Sequence, residues 1–389
     1  MRILYLHQYF KTPKEGGATR SYHLAKKMVE KGWRVDLITS HNSKDYLIRK
    51  IDGIRVHYLP IPYSNSFGKW KRIQSFFSFA QLAKSIAVKL SPDLCYATST
   101  PLTIGWVALK ISKRIGVPFI FEVRDLWPEA PEALGIVRNP LVLKLAYQLA
   151  HKTYKRADKI ISLSPGMTQE ICKVVSEDKV LTVPNLCHDQ GDIIKTSRSQ
   201  QLKITYAGAL GYVNNIPLIE QIIDQVELLD GITFEVIGEG KFADDLKEYC
   251  CSKVHTAFIG QLCKSEVFER LKDSDVSLTT FLDVDILGTN SPNKFFDGLA
   301  CATVVLVNNQ GWTKDLVETH ECGFHFDSHS FASIIRLLRD DTQLLEHYQM
   351  NALRLSKQFD ANKLCDQIIS EIDDSNLSTK VSEVYNQID

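Results

Sequence analysis

Short β-branched runs alternate with amphipathic stretches from one end of this 389-residue chain to the other. Parallel sheets with crossover helices produce that alternation, because each strand must be apolar on both faces and each helix on one. In the first half the pattern predicts strands at 3–6, 35–39, 55–58, 94–97, 119–122 and 159–163, with helices among them at 20–31, 78–90 and 141–156. Around 184–201 it lapses into Asn, His, Asp, Gly, Lys, Ser and Gln, which suits a connection between domains. It resumes with strands at 203–206, 233–237, 254–258, 276–279 and 304–307, and a last helix at 361–372 precedes a polar tail from Asp373. A chain of this length exceeds what one core usually fills. The expectation is therefore an α/β protein of two doubly wound domains, 1–183 and 202–358, joined by a linker at 184–201 and followed by 359–389. Ligands of such sheets bind outside the carboxyl ends of the strands.

Charge separates the halves. The net charge is zero, but up to Val183 there are 29 Lys and Arg against 14 Asp and Glu, leaving 17 against 32 for the remainder. Halves of opposite sign suit either domains with different partners or an attraction between the halves, and the two readings are compatible. A basic surface attracts anionic membranes, phosphate-bearing lipids or nucleic acid. The nine cysteines are odd in number and include no Cys-x-x-Cys, which fits neither a disulfide framework nor a structural zinc site and points to a reducing interior. No run approaches the about 18 apolar residues of a membrane span, and residues 1–15 lack a signal-peptide core. The expected location is cytoplasmic, at most peripheral to the inner face of a membrane. His320-Glu321-Cys322-Gly323-Phe324-His325 places Phe324 where a zinc helix needs its second His, so no metal site is expected.

The segment from Ser291 to Ala300, followed by the apolar run Thr303 to Val307, carries the most chemistry. Ser291-Pro292 sets a helix start, whose free amides suit a phosphate. Lys294 adds a mobile positive charge, and Asp297, one turn on, can accept hydrogen bonds from two sugar hydroxyls. The ligand expected is a nucleotide carrying a sugar; the plainer alternative is an ordinary helix start beside a core strand. Three glycine turns follow strands: Gly16-Gly17 before a helix whose first turn carries Arg20 as a phosphate fork, Gly208-Ala209-Leu210-Gly211, and Gly238-Glu239-Gly240. Gly-x-Gly-x-x-Gly is absent. The strand at 119–122 runs into Glu122-Val123-Arg124-Asp125-Leu126-Trp127-Pro128-Glu129, a density of ionisable groups that suits either a ligand or a salt-bridged strand end. Trp70-Lys71-Arg72, followed by Phe76, Phe79, Ala83, Ile86 and Leu90, reads as a core-facing stripe with a basic start that suits anionic lipid. Residues 141–159 show a similar mixture, with Lys152, Lys155, Arg156 and Lys159.

The segment at Ser291–Ala300 resembles the donor-binding loop of GT-B glycosyltransferases, specifically the retaining group called family 4. There an acidic residue at the position of Asp297 commonly holds the ribose of a nucleotide sugar, and the amides before it hold the diphosphate. The family pattern has two glutamates eight positions apart; here Asp297 stands at the second and Thr289 at the first. The Gly16-Gly17 loop with Arg20 is similar to the family's first loop. Gly208 to Gly211 is similar to its diphosphate turn, although Tyr212-Val213-Asn214-Asn215 replaces the usual Arg and Lys, leaving Lys294 and backbone dipoles to neutralise the diphosphate. Arg124-Asp125-Leu126-Trp127-Pro128-Glu129 resembles the signature of a branch that builds bacterial surface polysaccharides from amino-sugar donors, with Arg124 where many relatives have His.

The resemblance implies a GT-B fold of two facing Rossmann-like domains, the first binding acceptor and the second nucleotide sugar, with the last helix packing back on the first. It implies metal-independent, retaining transfer of a sugar, an N-acetylamino sugar in this branch, from a UDP-sugar to a saccharide on a polyprenyl diphosphate, in capsule or O-antigen synthesis. Asp125 is expected to meet the acceptor hydroxyl, with Arg124 and Glu129 nearby. Gly16, Gly17, Arg20, Gly208, Gly211, Gly238, Ser291, Pro292, Asn293, Lys294 and Asp297 are expected to bind the donor. No cofactor beyond the donor substrate, and no nucleic acid partner, is expected. Two alternatives stand beside this: a UDP-sugar 2-epimerase of the same architecture, and a non-catalytic basic binding protein, which accounts for the charge but not for the donor loop.

Overall fold

Runs such as Ile3-Leu4-Tyr5-Leu6, wholly buried, need cover on both faces of a sheet, and in the computed structural model they receive it. The structure describes residues 1–62, 67–191, 193 and 201–374, which fall into two units.

The first unit comprises Met1–Thr12, Ala18–Pro184 and the chain from Asn362. Its strands are β1 (Arg2–Leu6), β2 (Arg34–His41), β3 (Leu47–Ile51), β4 (Ile54–Pro60), β5 (Leu94–Thr98), β6 (Phe119–Val123), β7 (Lys159–Ser162) and β8 (Val180–Thr182). They form one sheet in the order β3-β4-β2-β1-β5-β6-β7-β8, parallel throughout except for the antiparallel pair β3 and β4. The helix Ala361–Asp374 buries Leu364, Cys365, Ile368, Ile369 and Ile372. Ion pairs from Lys27 to Asp366 (3.6 Å), Lys31 to Asp373 (3.0 Å) and Lys159 to Glu371 (2.7 Å) hold it on this unit.

The second unit comprises Pro13–Gly17 and Asn185–Ala361. Its strands β9 (Leu202–Ala207), β10 (Ile232–Ile237), β11 (Thr256–Gly260), β12 (Val276–Thr279), β13 (Val304–Val307) and β14 (Gly323–His325) form a fully parallel sheet, in the order β11-β10-β9-β12-β13-β14. In each sheet the first strand lies centrally and the chain winds outward on one side and then on the other. The switch falls between β1 and β5 in one sheet and between β9 and β12 in the other. Where the direction of winding changes, crossovers on either side leave the strand ends open to a ligand.

Three strands are absent from the pattern-based reading. The hairpin of β3 and β4 turns at Asp52-Gly53, both with positive φ, the signature of a tight turn between antiparallel strands. Strands β8 and β14 have three residues each, too few for any periodicity to register. The helix expected at 78–90 begins at Lys69, and its stripe faces inward, with Phe79 and Ala83 fully buried. Two segments lie differently from the expected boundaries. Pro13–Gly17 groups with the second unit although it lies within 1–183, and the crossing back to the first falls after Ala361 rather than at 359. Of the expected linker, Asn185 to Gly191 is part of the second unit, while 192 and 194–200 lie outside the described residues, as does the tail from 375. Among the described residues no helix is long and apolar enough to cross a membrane.

The turns after β9 and β10 pack backbone against backbone. Gly208 N donates to Ile237 O (2.9 Å), Leu210 N to Glu239 O (2.8 Å), and Phe242 N to Leu210 O (3.1 Å). A Cβ on Gly238 would stand 1.9 Å from Gly208 O, whereas one on Gly211 would meet nothing closer than Asn214 Nδ2 at 3.8 Å. Gly238→Ala should therefore lower stability by ~1–3 kcal/mol through overpacking. Gly211→Ala should stay within about 0.5 kcal/mol of the parent, as surface changes do. Urea midpoints of the two variants check this; equal effects would contradict it.

Candidate functional site

In the second unit the ends of β9 and β12, the turn Tyr212–Asn214 and the start of the helix Asn293–Ala300 converge on Lys294. Its ammonium donates to Asn214 Oδ1 (2.9 Å), Tyr206 Oη (3.1 Å) and Thr280 O (3.2 Å). The Tyr206 hydroxyl gives its own proton to Ala209 O at 2.7 Å, so it is oriented to accept from the lysine. The rings of Tyr206 and Phe281 lie 4.6 and 4.9 Å from the nitrogen. Lys294 as a residue is half-buried, but its charged end is enclosed, and that burial lowers its pKa to about 7. Among the described residues no carboxylate pairs with it. The expected mobile charge is thus a fixed one, held by three neutral acceptors.

Pro292 precedes the helix and no side chain caps it, so Asn293 and Lys294 open a helix start without a side-chain acceptor. Gly208 stands at the same point, where a Cβ would lie 3.4 Å from Lys294 Cδ, and Gly211 begins the turn that carries Asn214. Gly238 supports Gly208 from behind. Asp297, one turn along, is buried, and its Oδ2 accepts from Lys264 Nζ at 2.5 Å. Burial raises the pKa of this carboxyl despite the lysine. Gly16 and Gly17 both have positive φ (72° and 79°), and Gly16 lies against Leu262, where a Cβ would come within 3.1 Å of the carbonyl oxygen. Ser291 is committed to the connector: its hydroxyl accepts from Asn185 N (3.0 Å) and its carbonyl from Asn185 Nδ2 (2.5 Å).

In the first unit the candidate groups gather at the ends of β1, β5 and β6. Glu122, fully buried in β6, accepts from Arg20 Nε (2.9 Å), Tyr96 Oη (2.8 Å) and Thr98 Oγ1 (2.5 Å). Burial works to raise its pKa, but Arg20, Arg124 and the two hydroxyls outweigh burial and lower it. Arg124 N donates to Ser99 Oγ (3.0 Å), and Arg124 Nη1 lies 3.4 Å from Nε2 of the buried His7. Burial, reinforced by Arg124, lowers the His7 pKa to about 3, so this imidazole is neutral. Asp125 is exposed and accepts from Thr100 Oγ1 at 2.7 Å. Glu129 opens the helix Glu129–Ala133; burial raises its pKa, with Glu170 and Glu132 adding to the effect.

Residues 15–186 match the family model of a glycosyl transferase 4-like domain, and residues 217–372 match that of a glycosyl transferase-like domain. The chain is a family 4-like glycosyltransferase. Its structure superposes on sucrose-phosphate synthase from Thermosynechococcus elongatus with a TM-score of 0.75 at 14% identity, over 100% of this chain and 98% of that one. Anabaena HepE, in a complex with UDP-glucose, gives 0.67 at 17% identity over 96% and 100% of the two chains. WaaG, a glycosyltransferase involved in lipopolysaccharide biosynthesis, gives 0.65 at 13% over 97% and 100%. At these identities the likeness is one of fold, and the fold is GT-B. No curated protein matches the chain by sequence.

One expected donor residue of this glycosyltransferase is already engaged within the first unit. Arg20 is buried in the first unit, where besides Glu122 it donates to Val183 O (3.0 Å) and Pro184 O (2.5 Å). A guanidinium spent on a buried carboxylate and two carbonyls is a tie within the fold and not a fork for phosphate. Lys264, Tyr206 and Asn214, conversely, were not singled out from sequence, since each touches the site through tertiary packing. Arg20→Met should cost ~3–5 kcal/mol, the effect of stranding one partner of a buried pair. Denaturant titration checks this; a variant as stable as the parent would contradict the assignment.

Proposed function

We propose that this glycosyltransferase moves a sugar, an N-acetylamino sugar on the reading of its Arg124–Glu129 segment, from a UDP-sugar to a saccharide hydroxyl with retention of configuration. The observation that carries the donor assignment is the Lys294 ammonium, enclosed by neutral acceptors at an uncapped helix start. A buried cation without a counter-charge favours an anion beside it, and helix-start amides add dipoles of the same sense. The Anabaena relative in fold is a complex with UDP-glucose, which supports a UDP-linked donor.

In this reading Lys294 and the amides at Asn293 stabilise charge growing on the departing diphosphate, which lowers the barrier to its departure. The chain's own groups meet that charge, and no metal ion takes part. Gly208 and Gly211 let diphosphate oxygens approach the backbone, and Asp297 accepts from the ribose hydroxyls. In the first unit Asp125, oriented by Thr100, receives the acceptor hydroxyl, with Arg124 and Glu129 beside it.

The acceptor we propose is a saccharide on a polyprenyl diphosphate at an anionic membrane surface, in bacterial capsule or O-antigen synthesis. Trp70, 85% exposed, and Phe77 on the helix Lys69–Leu90, with Leu141 and Leu145 on the helix Pro140–Arg156, present apolar side chains beside Lys71 and Lys144 in the basic half. That mixture suits an interfacial contact.

At pH 8 the free Lys294, with a pKa of about 7, is mostly neutral, and a bound diphosphate should pull its pKa up. UDP binding at pH 8 should therefore take up close to one proton, read by calorimetry in buffers of different ionisation enthalpy. Lys294→Met should abolish the uptake and weaken UDP by ~1.5–3 kcal/mol, the contribution of a charged hydrogen bond. Asp125→Ala should leave both unchanged while turnover falls ~10²–10⁴-fold. Binding without proton uptake would contradict the Lys294 assignment.

The protein should also pellet with anionic vesicles at low ionic strength and release as salt is raised. Failure to pellet at low salt would remove the membrane surface from this proposal.

A further inference from the structure

Asp297 is the carboxylate that the proposed function assigns to the ribose, and it sits where burial disfavours its charge. It is 6% exposed, and an unpaired carboxylate so buried takes up a proton in preference to remaining ionised. Lys264 faces it at 2.5 Å from the first position of the helix Lys264–Lys272, and this lysine is itself largely buried. Two contacts pin that first position. Cys263 and Glu266 form a capping box, with Cys263 N donating to Glu266 Oε2 at 2.8 Å, and Gly16 packs on Leu262 and Cys263. The lysine's nitrogen also lies 4.9 Å from the Phe268 ring, which limits its reach.

The other titratable groups around the pair add no positive charge. On the connector, Cys187 has its thiol pKa pushed up by burial and by Asp297, and its Sγ donates to Phe296 O at 3.3 Å. Burial and Lys264 lower the pKa of His188 to about 4, which leaves it neutral. Cys301, just past the end of Asp297's own helix, is a buried thiol whose Sγ donates to Phe268 O at 3.9 Å, and Asp360 acts on Cys187 with a negative charge. Among the described residues Lys264 is thus the one cation paired with Asp297, and it occupies Oδ2 alone; no protein donor is bonded to Oδ1.

We infer that Lys264 is a positioning residue for the donor: by holding Oδ2 it keeps the Asp297 carboxylate charged and turns Oδ1 toward the ribose hydroxyls. The inference rests on the assignment of Asp297 to the donor made above. Its chemistry is simple. Hydroxyls that donate need a charged acceptor with free lone pairs, and a protonated carboxyl offers a competing donor in their place.

Calorimetric titration of UDP between pH 5.5 and 8.5 tests the inference with Lys264→Met, Lys264→Gln, Lys264→Arg and Asp297→Asn. Because the terminal phosphate of UDP titrates in this range, each affinity is read as a ratio to the parent at the same pH. Lys264→Met and Lys264→Gln should weaken UDP by ~tenfold per unit of pH below the raised Asp297 pKa, with the deficit shrinking as pH rises. Lys264→Arg should stay close to the parent at every pH, and Asp297→Asn should show a deficit that does not change with pH. A deficit in Lys264→Gln that is constant across pH, or no deficit at all, overturns the role given to Lys264. An Asp297→Asn protein that binds UDP like the parent overturns the ribose assignment itself, whatever the lysine variants do.

Discussion

The ammonium of Lys294 is held by Tyr206, Asn214 and Thr280, acceptors that carry no formal charge, and the strand ends of the second unit are arranged to bring those acceptors together. Two other buried cations in the molecule are treated differently. Arg20 has Glu122, and Lys264 has Asp297. Desolvating a cation is costly unless a counter-charge is supplied, and for the first two the chain supplies it from within. For Lys294 it supplies only dipoles, which hold the side chain in place without neutralising it. That asymmetry separates two cations whose charge is balanced within the chain from one that, on the proposed function, a bound anion would balance.

The asymmetry also orders the rest of the second unit. The crossing of Gly208 over the loop after β10 admits no side chain at Gly238, so the turn beside Lys294 rests there on backbone. The start of the helix Asn293–Ala300 meets the chain just past β12, where Thr280 supplies its carbonyl. The first unit places its ionisable groups in the same topological position, after the strands flanking its own switch point, but joins them into a network in which Glu122 is the central acceptor. Arg124 and Asp125 extend from that network toward solvent, which is where a hydroxyl-bearing substrate would have to meet them.

Much of this was legible in the residues. The long strands of both sheets followed from β-branched runs, because burial on two faces leaves a strand no polar position. Ser291-Pro292 marked the helix start to within a residue, the proline standing just before the first helical position. What escaped was of two kinds. The edge strands β3, β8 and β14 are short or exposed, and carry no period to detect. The partners of charged side chains were also hidden: Arg20 looked like a phosphate fork because the sequence does not show that its side chain, on the first turn of a helix, meets Glu122 of β6, about a hundred positions away. Lys264 was missed for the same reason, since its only local sign is a lysine just past a strand.

The central claim is that an activated sugar is gripped by its diphosphate at Lys294. A crystal structure of the protein soaked with UDP measures this directly. The account predicts diphosphate oxygens within hydrogen-bond distance of the Lys294 nitrogen and the amides that open its helix, with the ribose hydroxyls against Asp297. Nucleotide bound with its phosphates away from Lys294 would contradict it.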